Sequence, residues 1–142
     1  LISLSQTSKY FYRGIKNSKI KIKKLVIIVD DSLIKWFPFL DNVKIDGSYK
    51  NIKKHIHLFS KVHTLDLSCT EVVDVSALGN VHTLDLSSTN VEDVSALGNV
   101  HTLNLSYTNV VDISALGNVH TLNVSNTNVE DISALILVIL KL

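Results

Sequence analysis

Four histidines recur at one interval, His63, His82, His101 and His120, and each is followed by a threonine. Three residues after each histidine stands Asp66, Asp85, Asn104 or Asn123, and two further on Ser68, Ser87, Ser106 or Ser125. His82, Asp85 and Ser87 supply the residue types of a hydrolase triad, and a row of imidazoles beside carboxylates invites zinc. Both chemistries require convergence. A triad needs one serine hydrogen-bonded to one oriented histidine beside an oxyanion site; zinc needs nitrogens at about 2.0–2.1 Å around one tetrahedral centre. Residues repeated at a constant interval form columns instead, and the same trio recurs with no glycine-rich elbow to single out one copy. The residues thus read as non-enzymatic: no catalytic residue, no cofactor and no metal ion is assigned, and the histidines read as copies made by duplication. Cys69 reads as a neutral member of the column Cys69, Ser88, Tyr107 and Asn126, and His55 and His57 fall outside the interval.

The interval itself dictates the architecture. Val62-His-Thr-Leu-Asp-Leu-Ser-Cys-Thr returns from Val81, Val100 and Val119, 19 residues apart each time, and every copy continues Val-x-Asp-(Val/Ile)-Ser-Ala-Leu. Leu84 and Leu86 alternate inward along a short strand, and Val91, Val94 and Leu97 supply the rest of a shared core. The pattern resembles the leucine-rich repeat, Leu-x-x-Leu-x-Leu-x-x-Asn-x-Leu, with two departures: threonine (Thr70, Thr89, Thr108, Thr127) holds the asparagine position, and the period is just under the usual 20–29 residues. The Asp-(Val/Ile)-Ser-Ala-Leu return resembles internalin-like repeats shortened by about a turn. The resemblance implies an α/β solenoid, weakly curved, with short parallel strands on one side and turns or 3₁₀ segments on the other. Asp93 or Ser95 is placed to cap the return segment, Gly98-Asn99 to make the turn back into Val100, and the threonine column to satisfy backbone groups at the corner.

The frame extends upstream less regularly. Ile22-x-x-Leu25-x-Ile27 and Leu40-x-x-Val43-x-Ile45 read as strand cores, with starts at 22, 40 and 62. Ser32 to Phe39 and Asn51 to Phe59 read as short return-side helices, Pro38 ending the first. The organisation expected is 1–21 as a capping or F-box-like helix, 22–61 as irregular repeats, 62–135 as four regular repeats and 136–142 as an aberrant apolar tail. About six such units exceed the three needed to bury a common core.

The opening Leu1-Ile-Ser-Leu4-Ser-Gln-Thr-Ser-Lys-Tyr-Phe11-Tyr12 resembles the closing helix of an F-box, directly ahead of repeats as in F-box/leucine-rich-repeat proteins. The family's opening Leu-Pro segment is absent. The resemblance implies that Leu1, Leu4, Phe11 and Tyr12 contact a Skp-type linker, and the lysine- and asparagine-rich style is similar to that of giant-virus proteins. With no methionine anywhere, the chain reads as a processed product or as a piece of a longer one. At the far end Ile136 to Leu142 replaces the expected Gly-Asn-Val-His-Thr; loss of one G from AT-rich codons of a continuing repeat would write Leu-Val-Ile-Leu-Lys-Leu and then stop. Val138 to Leu142 also suits a seventh edge strand.

The 142 residues are 46% hydrophobic and 19% charged, as suits one modest domain. The longest apolar run, Leu135 to Leu140, is too short to cross a bilayer, and a single cysteine can staple nothing internally. A net charge of +1 hides a division: residues 1–61 hold thirteen basic and four acidic residues, whereas nine acids and only Lys141 follow. Lysines of a solvated face written by AT-rich codons, or a nucleic-acid surface at Lys16 to Lys24 and Lys50 to Lys54, would each account for the basic half. The expected function is a protein-interaction module, the target-binding solenoid of an F-box-type adaptor for a cullin-based ubiquitin ligase. The alternative is a general scaffold or internalin-like adhesion surface. The face expected to meet a protein partner comprises His82, Asp85, Ser87, Ser88, His101, Asn104, Ser106, Tyr107, His120, Asn123 and Asn126. An adaptor of this type would be intracellular, in the cytoplasm or in that of a virus-infected host.

Overall fold

Extended chain sends alternate side chains to opposite faces, so a His-Thr-Leu-Asx-(Leu/Val)-Ser run buries its two aliphatic residues and leaves the polar ones outside. The computed structural model describes residues 25–27, 42–45 and 52–133. They form one parallel sheet of six strands in chain order: β1 (Leu25–Ile27), β2 (Asn42–Ile45), β3 (Thr64–Asp66), β4 (Thr83–Asp85), β5 (Thr102–Asn104) and β6 (Thr121–Asn123). From β3 to β6 the register advances by one repeat per strand, pairing Thr64 with Thr83, Thr102 and Thr121 in turn. Leu25 pairs with Val43 and Asn42 with Thr64, the uneven steps of the irregular strand cores. Amide bonds extend the ladder at both ends of the strands: Thr83 N–H donates to His63 O at 2.9 Å and Cys69 N–H to Ser87 O at 3.0 Å.

Opposite the sheet, each coil returns through a 3₁₀ turn: Ser76–Leu78, Ser95–Leu97 and Ser114–Leu116. The coil before them returns through a short α-helix, α1 (Ile52–His55), which runs on as a 3₁₀ turn over Ile56–Phe59. Between the layers run the aliphatic columns. Val62, Val81 and Val100, Leu65, Leu84 and Leu103, and Leu67, Leu86 and Leu105 are all at most 1% exposed, as are the return-side Leu78, Leu97 and Leu116. In the fourth regular coil Leu122, Val124 and Val129 are only partly buried and Ile132 is 53% exposed.

Each corner leaving the sheet is built the same way. The residue after the serine lies in the left-handed region, at φ 58° for Cys69, 56° for Ser88, 58° for Tyr107 and 56° for Asn126. The next residue, the repeat's threonine, turns its hydroxyl back: Thr70 Oγ1 donates to Leu67 O at 2.7 Å and Thr89 Oγ1 to Leu86 O at 2.6 Å. The buried carbonyl at the corner is thereby satisfied, as expected of this column. On the return side Asp93 Oδ1 accepts the Ser95 N–H at 2.9 Å, so the aspartate holds the turn from one residue before its N-cap, Val94.

Gly98-Asn99 makes the turn back into Val100, as expected, closed by the Val100 N–H to Leu97 O at 3.0 Å, and the glycines have a second task besides. Gly79 and Gly98 have ordinary right-handed backbone, φ −59° in both, and supply no special dihedral. A Cβ on Gly98 would stand 2.5 Å from the carbonyl oxygen of Ala115 in the next coil, and one on Gly79 would collide with that of Ala96. Glycine is needed because neighbouring coils approach too closely there for any side chain.

Candidate functional site

The sheet face carries the columns expected to meet a partner. The four histidines are exposed and stacked, with ring centroids 4.5 Å apart for His63 and His82 and 4.6 Å for the two following pairs. Interplanar angles of 14° to 27° leave the rings face to face, with their nitrogens side by side and not aimed at one centre. Among the described residues no group of three or more His, Cys, Asp or Glu is placed to hold a metal ion. His82 Nδ1 lies 3.3 Å from Thr83 Oγ1, a contact repeated at His63 and His120. Desolvation by the flanking rings, then repulsion from His63 and His101, holds His82 below the usual histidine pKa.

The acid and serine columns are occupied with each other. Asp85 Oδ1 accepts both the N–H and the hydroxyl of Ser87, at 2.9 and 2.6 Å, and Asn104 and Asn123 receive Ser106 and Ser125 in the same way. Ser87 thus donates its hydroxyl hydrogen bond to the carboxylate and not to a histidine, and the His82, Asp85, Ser87 set does not assemble a triad. Ser106, expected on the partner face, is 8% exposed, with its hydroxyl turned to Asn104. His82, His101, His120, Ser88, Tyr107, Asn123 and Asn126 are exposed, while Asp85, Ser87 and Asn104 are half-buried. Tyr107 stands out as the one exposed aromatic of the regular coils, at 65%. Leu1, Leu4, Phe11 and Tyr12 lie outside the described residues.

The sheet pairing adds a contact that spacing alone did not suggest. Lys44 of β2 takes the register position beside Asp66, and its Nζ bonds Asp66 Oδ2 at 2.5 Å. Burial works against the Asp66 charge, but the bonds from Lys44 and Ser68 outweigh it and hold the carboxyl below its ordinary pKa; the bond to Asp66 raises that of Lys44. Along this column Asn104 Nδ2 donates to Asp85 Oδ2 at 3.2 Å. The first acid of the sheet face is thus paired with a lysine and the second is bonded by an amide.

The return side holds what the sequence reading did not single out. Asp74, Asp93, Asp112 and Asp131 form an exposed column, each held below the usual carboxylate pKa by the amide and then the hydroxyl of the serine two residues on. Beside them run Val73, Glu92, Val111 and Glu130, with Val73 44% and Val111 59% exposed. Shallow hollows open between successive coils here, one walled by Glu92, Asp93, Asn109, Val111 and Asp112, the next by Val111, Asp112, Glu130 and Asp131. The signal for it in the sequence is the Asp-x-Ser spacing, which marks both a cap and a surface column.

An open parallel sheet facing a row of 3₁₀ turns across aliphatic columns defines an α/β solenoid of leucine-rich repeats. No protein-family description matches the chain, and no curated protein matches it. Solved structures do. The chain superposes on an internalin (inlF) from Listeria monocytogenes with a TM-score of 0.58 at 19% identity, covering 79% of this chain and 35% of the internalin. On internalin C2 of the same organism the TM-score is 0.59 at 16% identity, covering 75% of this chain and 51% of the other. The chain spans about a third to a half of those proteins, and at such identities the likeness is one of fold.

Proposed function

We propose that this chain is a non-enzymatic protein-interaction module that holds a protein target on its sheet face. The observation that carries this reading is the face itself. Four short strands in constant register, β3 to β6, display exposed imidazoles, hydroxyls and amides around one exposed aromatic, Tyr107, and aromatics are favoured anchors at interfaces. The pairing of the serines with Asp and Asn inside each coil supports binding over chemistry. In the finer form of the proposal the solenoid selects targets for a cullin-based ubiquitin ligase, with Leu1, Leu4, Phe11 and Tyr12 meeting a Skp-type linker. That form rests on the opening sequence run, and the site would then be intracellular. The shared fold with two internalins supports a scaffold or adhesion surface equally well.

Two measurements separate these readings. A photo-crosslinking residue at position 107 should capture a target that the same residue at the exposed position 80 does not; equal yields from both positions would refute the sheet face as the binding surface. The protein should co-precipitate a Skp-type linker and lose it on Leu4→Asp. Failure to do so removes the adaptor form and leaves the scaffold.

A further inference from the structure

The four exposed imidazoles, stacked at centroid distances of 4.5, 4.6 and 4.6 Å, serve neither a triad nor a tetrahedral centre. At that spacing three or four ring nitrogens cannot converge on one point. Two neighbours can. Nitrogens bound at about 2.0–2.1 Å to a shared ion lie roughly 3–4 Å apart, so each ring of a stacked pair has to tip toward the other by less than about an ångström. Histidine χ2 sits in a broad well, and exposed rings can make such a tilt without disturbing the buried columns.

The strand already orients these rings. Nδ1 of His63, His82 and His120 lies 3.3, 3.3 and 3.2 Å from the hydroxyl of the threonine that follows. The tautomer in which Nδ1–H donates to that hydroxyl leaves Nε2 with its lone pair turned away from the strand, and a hydrogen bond at the other ring nitrogen is how metal-ligating histidines are held. The carboxylates of the same face are committed elsewhere, Asp66 to Lys44 and Ser68 and Asp85 to Ser87 and Asn104. The available donors are therefore imidazoles alone. Such a set suits late first-row ions such as Ni²⁺, Cu²⁺ and Zn²⁺, whereas Mg²⁺ and Ca²⁺ require oxygen.

We propose that neighbouring histidines of the column form two-histidine sites for divalent transition-metal ions, His63 with His82 and His101 with His120, with water completing each coordination shell. Two ions then sit in a row on the sheet face, roughly 10 Å apart, twice the strand spacing. These sites do not depend on which protein the face meets.

The test is calorimetric titration of the full chain with Ni²⁺ alone. Two ions should bind per chain, and Mg²⁺ should not bind. Two double variants retain the same number of histidines but differ in whether neighbours survive. His63→Gln with His82→Gln keeps the adjacent pair His101 and His120, and should keep one site of parental affinity. His82→Gln with His120→Gln leaves His63 and His101 two strands apart, and should weaken binding by about a hundredfold or more, because the second ligand no longer acts intramolecularly. All four side chains are exposed, so the fold should hold in both variants, as circular dichroism would confirm. Equal Ni²⁺ affinity and stoichiometry in the two variants would show imidazoles acting singly and overturn the proposal, as would no Ni²⁺ binding by the parent. Parental binding by the fourfold variant His63→Gln, His82→Gln, His101→Gln and His120→Gln would place the ions elsewhere and overturn it as well.

Discussion

Replacing Gly98 with alanine sets two physical arguments against each other. The backbone there is right-handed, φ −59° and ψ −18°, so alanine fits the dihedrals, and restricting the unfolded chain would stabilise the protein by about 0.4–1 kcal/mol. Against this, the new Cβ would stand 2.5 Å from Ala115 O, where real Cβ atoms stay beyond 3.0 Å. The acceptor is backbone, so relief requires moving coils apart by about half an ångström or more. A gap of that size forfeits about a quarter to a half of each dispersion contact it opens. The contacts at stake are those of Leu97 and Leu116, both fully buried, each worth about 1.5–3 kcal/mol in burial. The steric term should win, giving a net loss of about 1–3 kcal/mol, in the usual range for overpacking. Urea unfolding followed by circular dichroism, with a thermal melt expected to fall by several degrees, measures it. A Gly98→Ala protein as stable as the parent, or more so, would refute the close-approach account and restore the glycine to a simple turn residue.

Other expectations follow from the corners and the charges. Tyr107→Gly should raise the urea midpoint, since a non-glycine residue at φ 58° costs about 1–2 kcal/mol, whereas Asn126→Gly should change it little because asparagine tolerates this region. Thr89→Val should cost about 1–3 kcal/mol by stripping the Leu86 carbonyl of the 2.6 Å bond from a buried hydroxyl, as unfolding titrations would show. The pKa of His82 is depressed in the folded protein, so the unfolded chain binds its proton more readily; this contribution is present above the unfolded value and is lost as pH falls through the folded one. Thermal melts should therefore drop slightly between pH 7 and 5, less so in His82→Gln, and an NMR titration should place the His82 midpoint below the ordinary histidine value.

What could be read from the sequence was whatever repeats. An interval of 19 residues forces like onto like, so Leu84 over Leu65, the stacked histidines and the threonine corner all follow from the spacing of residue types. The strand cores at Leu25 and Val43 followed from the same leucine spacing in a less regular form. Hidden from it were contacts that depend on distance between coils. Gly98 looks like a turn residue in one dimension and becomes a packing residue only when Ala115 arrives beside it. Position 107 varies like a free surface site, yet its left-handed backbone shows that the corner constrains whatever residue stands there. Lys44 meets Asp66 only through a register step of irregular length, and Val111 becomes the floor of two hollows only when coils stack on both sides of it.

The constant register of β3 to β6 also bears on how such a protein can change length. Because Thr64, Thr83, Thr102 and Thr121 occupy one register position in successive strands, recombination between any two coils removes or adds a whole one while keeping the register of the strands that then meet. The molecule can grow or shrink in quanta of one strand spacing, about 4.8 Å. Each quantum brings one more imidazole to one side and one more aspartate to the other, so reach and charge are inherited together.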